Sequence, residues 1–314
     1  MIKKSPPPVP PPTASEDGAL YLIGHAQLTE YVEFVRKRAV GGRDLDKGEL
    51  TGQWRAATAS FKQLQTDEPG AGDKPDIQPL TPQLKAHVKK LVKLDSFQQT
   101  FATVPIAFGM VELDKLIVCQ RHINLASVAT LTRTLAQAHS ELDIATVCLP
   151  LKPGDSDISV ALEESGRLIL MSDTHDARFL GARLVKPSAV KGLNVNGYPQ
   201  VVLALSVGFS TNVLNVVRFG ARMVLNNGYH RALALRQLGF THAPCVIQVC
   251  AEWDDVGLAG MHEMVNNQEL YFEAARPPLL KDFANPQLTQ RFPTRQLRKE
   301  IRLKYDVDST QLEL

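Results

Sequence analysis

The residues best suited to chemistry lie in the run Asn226-Asn227-Gly228-Tyr229-His230-Arg231-Ala232. Asn227 and Gly228 are residue types that tolerate positive φ, so a chain bending there can turn backbone N–H groups outward. A helix expected directly after the bend brings the positive end of its dipole, and His230 and Arg231 fall in its first turn. Strand, glycine turn and helix start thus form a site suited to an anion. A phosphate fits best, because an arginine fork can hold its oxygens at two points. A cation in the first helical turn is otherwise misplaced by about 0.3–1 kcal/mol, so an arriving anion relieves a local cost. The same residues also fit a plainer role, in which Arg231 is solvated and His230 only caps the helix.

A second junction of this kind lies upstream. Leu116-Ile117-Val118-Cys119 is a short apolar strand, Gln120-Arg121-His122-Ile123-Asn124 follows it, and Leu125 to Leu135 has helical spacing. Gln120, Arg121 and Asn124 are therefore candidates to close the site from an opposite wall. Elsewhere, Ser172-Asp173-Thr174-His175-Asp176 places two carboxylates and a histidine within four residues, a pattern open to metal or acid–base chemistry. His262-Glu263 begins like a zinc-protease motif, but position 266 is Asn where the second histidine would stand. Cys119, Cys148, Cys245 and Cys250 form no C-x-x-C pair and sit in or beside apolar runs, so buried reduced thiols are expected and no metal site.

The elements that must position these groups can be read from periodicity. Leu214 to Arg218 and Arg222 to Asn226, parted by Phe219-Gly220-Ala221, read as a β-hairpin. After the turn, Ala232, Leu235 and Leu238 share one helix face, Gly239 ends the helix, and Pro244 opens a strand over Cys245 to Val249. Upstream, Leu28 to Arg38 and Lys47 to Gln65 read as two helices that pack as a pair, and Asp67 to Pro75 reads as a flexible linker. A helix follows Thr81-Pro82 with Lys85, Lys89, Lys90 and Lys93 on its outer side. Further strand candidates are Ile144 to Leu151, Arg167 to Met171, Phe179 to Val185 and Val201 to Val207. Asp254 to Asn267 reads as one helix, and Phe292 to Tyr305 as a basic terminal segment able to line a nucleic acid backbone or to dock through Leu297, Ile301 and Tyr305.

Gly228-Tyr229-His230-Arg231, preceded by a strand and followed by Ala-Leu-Ala-Leu-Arg-Gln-Leu-Gly and a Pro-led strand, resembles the ParB/sulfiredoxin-like superfamily. Members carry Gly-x-His-Arg or Gly-Glu-Arg-Arg between a strand and a helix ending in Leu-Gly. Gln120-Arg121 resembles the upstream Gln-Pro-Arg box of ParB proteins, without its proline. The resemblance implies a mixed α/β (α+β) fold with a ParB/sulfiredoxin-like core over residues 76–250. It also implies a nucleotide ligand, CTP or ATP with or without Mg2+, whose phosphates Asn227, Gly228, Tyr229, His230 and Arg231 would hold, with Gln120, Arg121 and Asn124 opposite. Sulfiredoxins have a reactive cysteine where this chain has Tyr229, so sulfinic-acid reduction is not expected. NTP hydrolysis or phosphoryl transfer would be open to such a protein, as would association with nucleic acid. Two alternatives stand beside this reading: a non-enzymatic interaction module retaining the fold, and a metal-dependent nuclease using Asp173, His175 and Asp176.

Length and composition set the frame. At 314 residues the chain is long enough for one large or two ordinary domains, and 44% hydrophobic with 22% charged residues is ordinary for a globular protein. A net charge of +2 neither requires nor excludes nucleic acid, because a basic face can hide in a balanced total. No run approaches the 18 or so apolar residues of a membrane span, so no membrane partner and a cytoplasmic location are expected. Residues 1–18, with prolines clustered from Pro6 to Pro12, are expected to be a polyproline-type tail open to a protein partner. Residues 19–75 are expected to form a helical appendage with its linker, and 251–314 a basic helical extension.

Overall fold

The computed structural model describes residues 18–152, 158–162, 167–172, 177–193, 195–209, 211–260, 262–295 and 297–312. The expected proline-rich tail and the Asp173–Asp176 cluster lie outside them. The chain is of mixed α/β class and divides into two compact units. One holds residues up to Leu151 together with Asn212–Arg295, the other Lys152–Thr211 with Gln296–Leu314.

In chain order the first unit begins with β1 (Ala19–Leu22), α1 (Leu28–Arg38), α2 (Lys47–Asp67), β2 (Ile77–Gln78), α3 (Pro82–Leu91) and α4 (Asp95–Thr100). It continues with β3 (Ile106–Glu112), β4 (Ile117–Val118), β5 (His122–Asn124), α5 (Leu125–Ala136) and α6 (Glu141–Cys148). The second unit then supplies β6 (Ile158–Leu162), β7 (Leu168–Ser172), β8 (Ala177–Val185) and β9 (Val202–Phe209). The chain returns to the first unit with β10 (Asn215–Phe219), β11 (Arg222–Asn227), α7 (Tyr229–Gln237), β12 (His242–Cys250), α8 (Trp253–Ala259), α9 (His262–Asn266) and β13 (Thr289–Phe292), and β14 (Lys299–Leu303) closes the second.

The first unit is built on a six-stranded sheet, ordered β2-β3-β12-β10-β11-β4. β10 and β11 form the hairpin, turning at Gly220 with φ +58°, and β12 returns parallel to β10 after the α7 crossover. Parallel strands flanked by helices are buried on both faces, which accounts for the nearly unbroken apolar runs of β10, β11 and β12. The main core joins Val216, Leu225, Val246 and Ile247 of the sheet to Val128 and Leu135 of α5 and to Ala232 and Leu235 of α7. A smaller sheet, β13-β1-β5, carries α1 and α2 on a second core of Tyr21, Tyr31, Val35, Leu50, Ala57 and Phe292. Residues 19–22 are thus a central strand rather than part of a helical appendage.

Four other segments differ from the sequence expectation. Ile144 to Leu151 is not a strand: Ser140 caps a helix by accepting from the Asp143 N–H, and the Asp143 carboxylate accepts the Ser140 N–H in return, so a capping box overrides the apolar run. The stretch Asp67 to Pro75 is docked and not a free linker. Asp73 takes an ion pair from Arg222 at 2.7 Å, and the N–H groups of Gly70 and Lys74 donate to Ala275 O and Ala221 O. The basic C-terminal segment forms strand β14, paired antiparallel with β7. In addition, the helix expected from Asp254 is interrupted at Gly260, giving α8 and α9.

The second unit has a three-stranded sheet, β14-β7-β6, and a two-stranded ribbon, β8-β9. Among the described residues, no helix is long and apolar enough to cross a membrane.

Candidate functional site at two strand–helix junctions

The two junctions meet. β4 lies parallel to β11, with Ile117 opposite Val224 and Val118 opposite Leu225, so both strands deliver their following residues to the same end of the sheet. Each then leads toward a helix, β11 through Gly228 into α7 and β4 through β5 into α5, and the two helices pack on each other.

Gly228 makes the turn at φ +97°, in the left-handed region, and a side chain there would be driven into Leu214. Its carbonyl accepts the Ala232 N–H at 2.9 Å, which starts α7, and no side chain caps that helix N-terminus. Tyr229 is buried. Its hydroxyl donates to Leu225 O and accepts the Cys119 N–H at 3.3 Å, so the phenol ties the ends of the two parallel strands together. Burial holds its pKa well above the usual phenol value, which keeps that donor protonated. His230 Nε2 accepts the Asn124 N–H at 3.1 Å, which assigns the ring proton of the neutral form to Nδ1. Asn124 caps α5 through Oδ1, which accepts the Ser127 N–H at 2.8 Å. Gln120 Nε2 donates to His122 O at 2.6 Å. Asn227 ends β11 opposite Asn215, half-buried beside the turn.

The two arginines do not serve this junction as a pair of prongs. Arg231 is only 5% exposed and donates to Asn212 O at 2.5 Å and Asn212 Oδ1 at 2.7 Å, with longer contacts to Val147 O and Cys148 O. It holds together the points where the chain leaves the first unit and returns to it. The expected arginine fork on phosphate is therefore replaced by a fork on the backbone and side-chain oxygens of Asn212, and buried carbonyls left without partners there would be costly.

Arg121 points elsewhere, into a cleft of about 360 Å³ lined by Tyr21, Glu30, Phe34, Cys119, Gln120, Arg121, His122 and Glu263. It makes ion pairs with Glu30 of α1 and, at 2.8 Å, with Glu263 of α9. Burial works against its charge, yet the Glu30 hydrogen bond and the nearby carboxylates hold its pKa above the usual guanidinium value. The Tyr271 hydroxyl donates at 2.9 Å to Glu263 Oε1, the same oxygen that Arg121 binds. Burial, reinforced by Glu263, pushes the Cys119 thiol well up, so it is a neutral thiol and no nucleophile. All four cysteines are free and buried.

No family model, curated protein or solved structure matches this chain. Of the eight residues singled out from sequence, Gly228, Tyr229, His230 and Asn124 come together at the paired junctions with Asn227 at their edge, Gln120 and Arg121 line the cleft, and Arg231 is turned inward. Sequence reasoning missed Tyr21, Glu30 and Phe34, which reach the cleft from β1 and α1, about a hundred positions before Arg121, and Tyr271, whose hydroxyl bonds Glu263. Glu263 stood in a motif rejected for zinc, and its partner proves to be an arginine. Among the described residues, no group of three or more His, Cys, Asp or Glu side chains is placed to hold a metal.

Proposed function

We propose that this protein binds a nucleotide through its phosphates, in the manner of a ParB-like switch, with the phosphates at the start of α7. The observation that carries the reading is the meeting of the two junctions, in which His230 of one is hydrogen bonded to Asn124 of the other at 3.1 Å. The uncapped N-terminus of α7 offers N–H groups and the positive dipole end, and α5 starts beside it. The neighbouring cleft has the size of a small-ligand pocket and would take the remainder of the nucleotide. Two carboxylates against one guanidinium leave that cleft with an excess negative charge, so phosphate belongs at the helix start and not on Arg121.

Calorimetric titration of CTP, ATP and GTP, with and without magnesium, tests this. One of them is expected to bind near micromolar affinity, about −8 kcal/mol, and His230→Ala to weaken it about tenfold, ~1.4 kcal/mol, with the melting temperature little changed. Absence of binding by all three nucleotides and by inorganic phosphate would overturn the reading. Arg231→Ala is the wrong probe, because the loss of its backbone hydrogen bonds would unfold the site before reporting on a ligand.

A further inference from the structure

The ribbon β8-β9 in the second unit has two unlike faces. Its register sets Leu184 opposite Leu203, Ala182 opposite Leu205 and, beyond a bulge at Leu180, Phe179 opposite Val207. Alternation along β9 puts these pairs on one side, and that side is wholly apolar. It is also open: Leu184 is 72% and Leu203 59% exposed, and Phe179 and Leu205 are exposed as well. Arg178 and Arg183 stand on the other side, opposite Gly208 and Ala204. The connection between the strands continues the pattern with Lys186 and Lys191, the exposed Val195, and Tyr198 at 96% exposure.

Charge decides what such a surface fits. From Ala177 to Phe209 the sequence holds four cations, Arg178, Arg183, Lys186 and Lys191, and no Asp or Glu. A second copy would cover the apolar side but bring like charges together. A nucleic acid would satisfy the cations and leave the leucines in water. We infer that the β8-β9 ribbon and its connection form a peripheral docking element for an anionic lipid surface. The apolar side and Tyr198 would enter the headgroup boundary while Lys186 and Lys191 of the connection meet acidic headgroups; Arg178 and Arg183, on the other side, would face away from the bilayer. The ribbon would lie on the bilayer and not cross it.

Flotation of the intact protein with phosphatidylcholine vesicles, and with vesicles also containing phosphatidylglycerol, provides the test. Capture is expected on the acidic vesicles only and should weaken with added salt. The double variants Leu184→Ser/Leu203→Ser and Lys186→Glu/Lys191→Glu should each reduce capture at least tenfold. All four positions are open surface, and the second pair, in or beside the connection, keeps the test valid if the first disturbs the ribbon. The tryptophan introduced by Tyr198→Trp should shift its emission to the blue on acidic vesicles. No capture by either vesicle overturns the proposal. So does a stable dimer in light scattering that Leu184→Ser/Leu203→Ser dissolves without any lipid binding, or duplex DNA binding that only the lysine variant abolishes.

Discussion

Arg231 has an identity that suggests a ligand and a position that gives it a structural task. Deleting its side chain removes a buried guanidinium and its hydrogen bonds to the carbonyls of Asn212, Val147 and Cys148, of which Cys148 O keeps the Leu214 N–H. Arg231→Ala is expected to cost about 3–5 kcal/mol in urea or thermal unfolding. A loss under 1 kcal/mol would mean the backbone fork carries little. His25 offers a pH signature. Its ring nitrogens are buried without hydrogen-bond partners among the described residues, and burial, with the Arg121 charge adding to it, lowers its pKa to about 3. The unfolded chain takes up a proton on this ring below about pH 6.5 and the folded one does not until about pH 3. Stability therefore falls as the pH drops through that window, by up to about 1.4 kcal/mol per unit, and is unaffected by this group above it. His25→Phe should flatten the slope between pH 6 and 4 in denaturant titrations. An unchanged slope would show that the histidine is protonated in the fold.

At the scale of elements, the first unit is held by arginines that tie distant segments. Arg276, 1% exposed, donates to both Asp282 oxygens at 2.8 and 2.6 Å and to Glu68 at the end of α2 at 3.1 Å. Removing Asp282 leaves the buried cation with Glu68 as its remaining anionic partner, so Asp282→Ala should destabilise by about 3 kcal/mol. Replacing the buried pair together with apolar residues should cost less, and the two measurements separate charge from packing. Gly228 tests the turn between β11 and α7. Gly228→Ala forces a side chain into the left-handed region and against Leu214, with an expected loss of about 1–3 kcal/mol and no effect confined to ligand binding.

For the whole molecule, the second unit is an insertion with neighbouring ends. Leu214 N donates to Cys148 O at 2.7 Å, so the chain comes back beside the place where it left. A chain that ends at Arg295 and carries a short Gly-Ser link in place of residues 152–211 should keep the six-stranded sheet and melt cooperatively. It should also bind nucleotide with the affinity of the intact protein if the proposed site is right. Loss of cooperative melting would show that the second unit is needed for the first to fold.

Local chemistry made several elements legible. The apolar runs and the Gly220 turn define the β10-β11 hairpin, Asn227-Gly228 marks the bend, Thr81-Pro82 starts α3, and the spacing of four apolar cysteines points to buried thiols. Each of these is decided within a few residues by φ preference, capping or periodicity, so the mixed α/β class and the strand–glycine–helix unit follow from the sequence alone. The apolar run at Ile144 misleads because strand and helix bury the same residue types, and only the cap at Ser140 separates them. The pairing of β4 with β11 could not be read, since their residues are about a hundred positions apart and register is fixed by core packing. Nor could the orientation of the two arginines. A guanidinium satisfies a phosphate, a carboxylate or a backbone carbonyl equally well in kind, and only the fold determines which of them stands within reach.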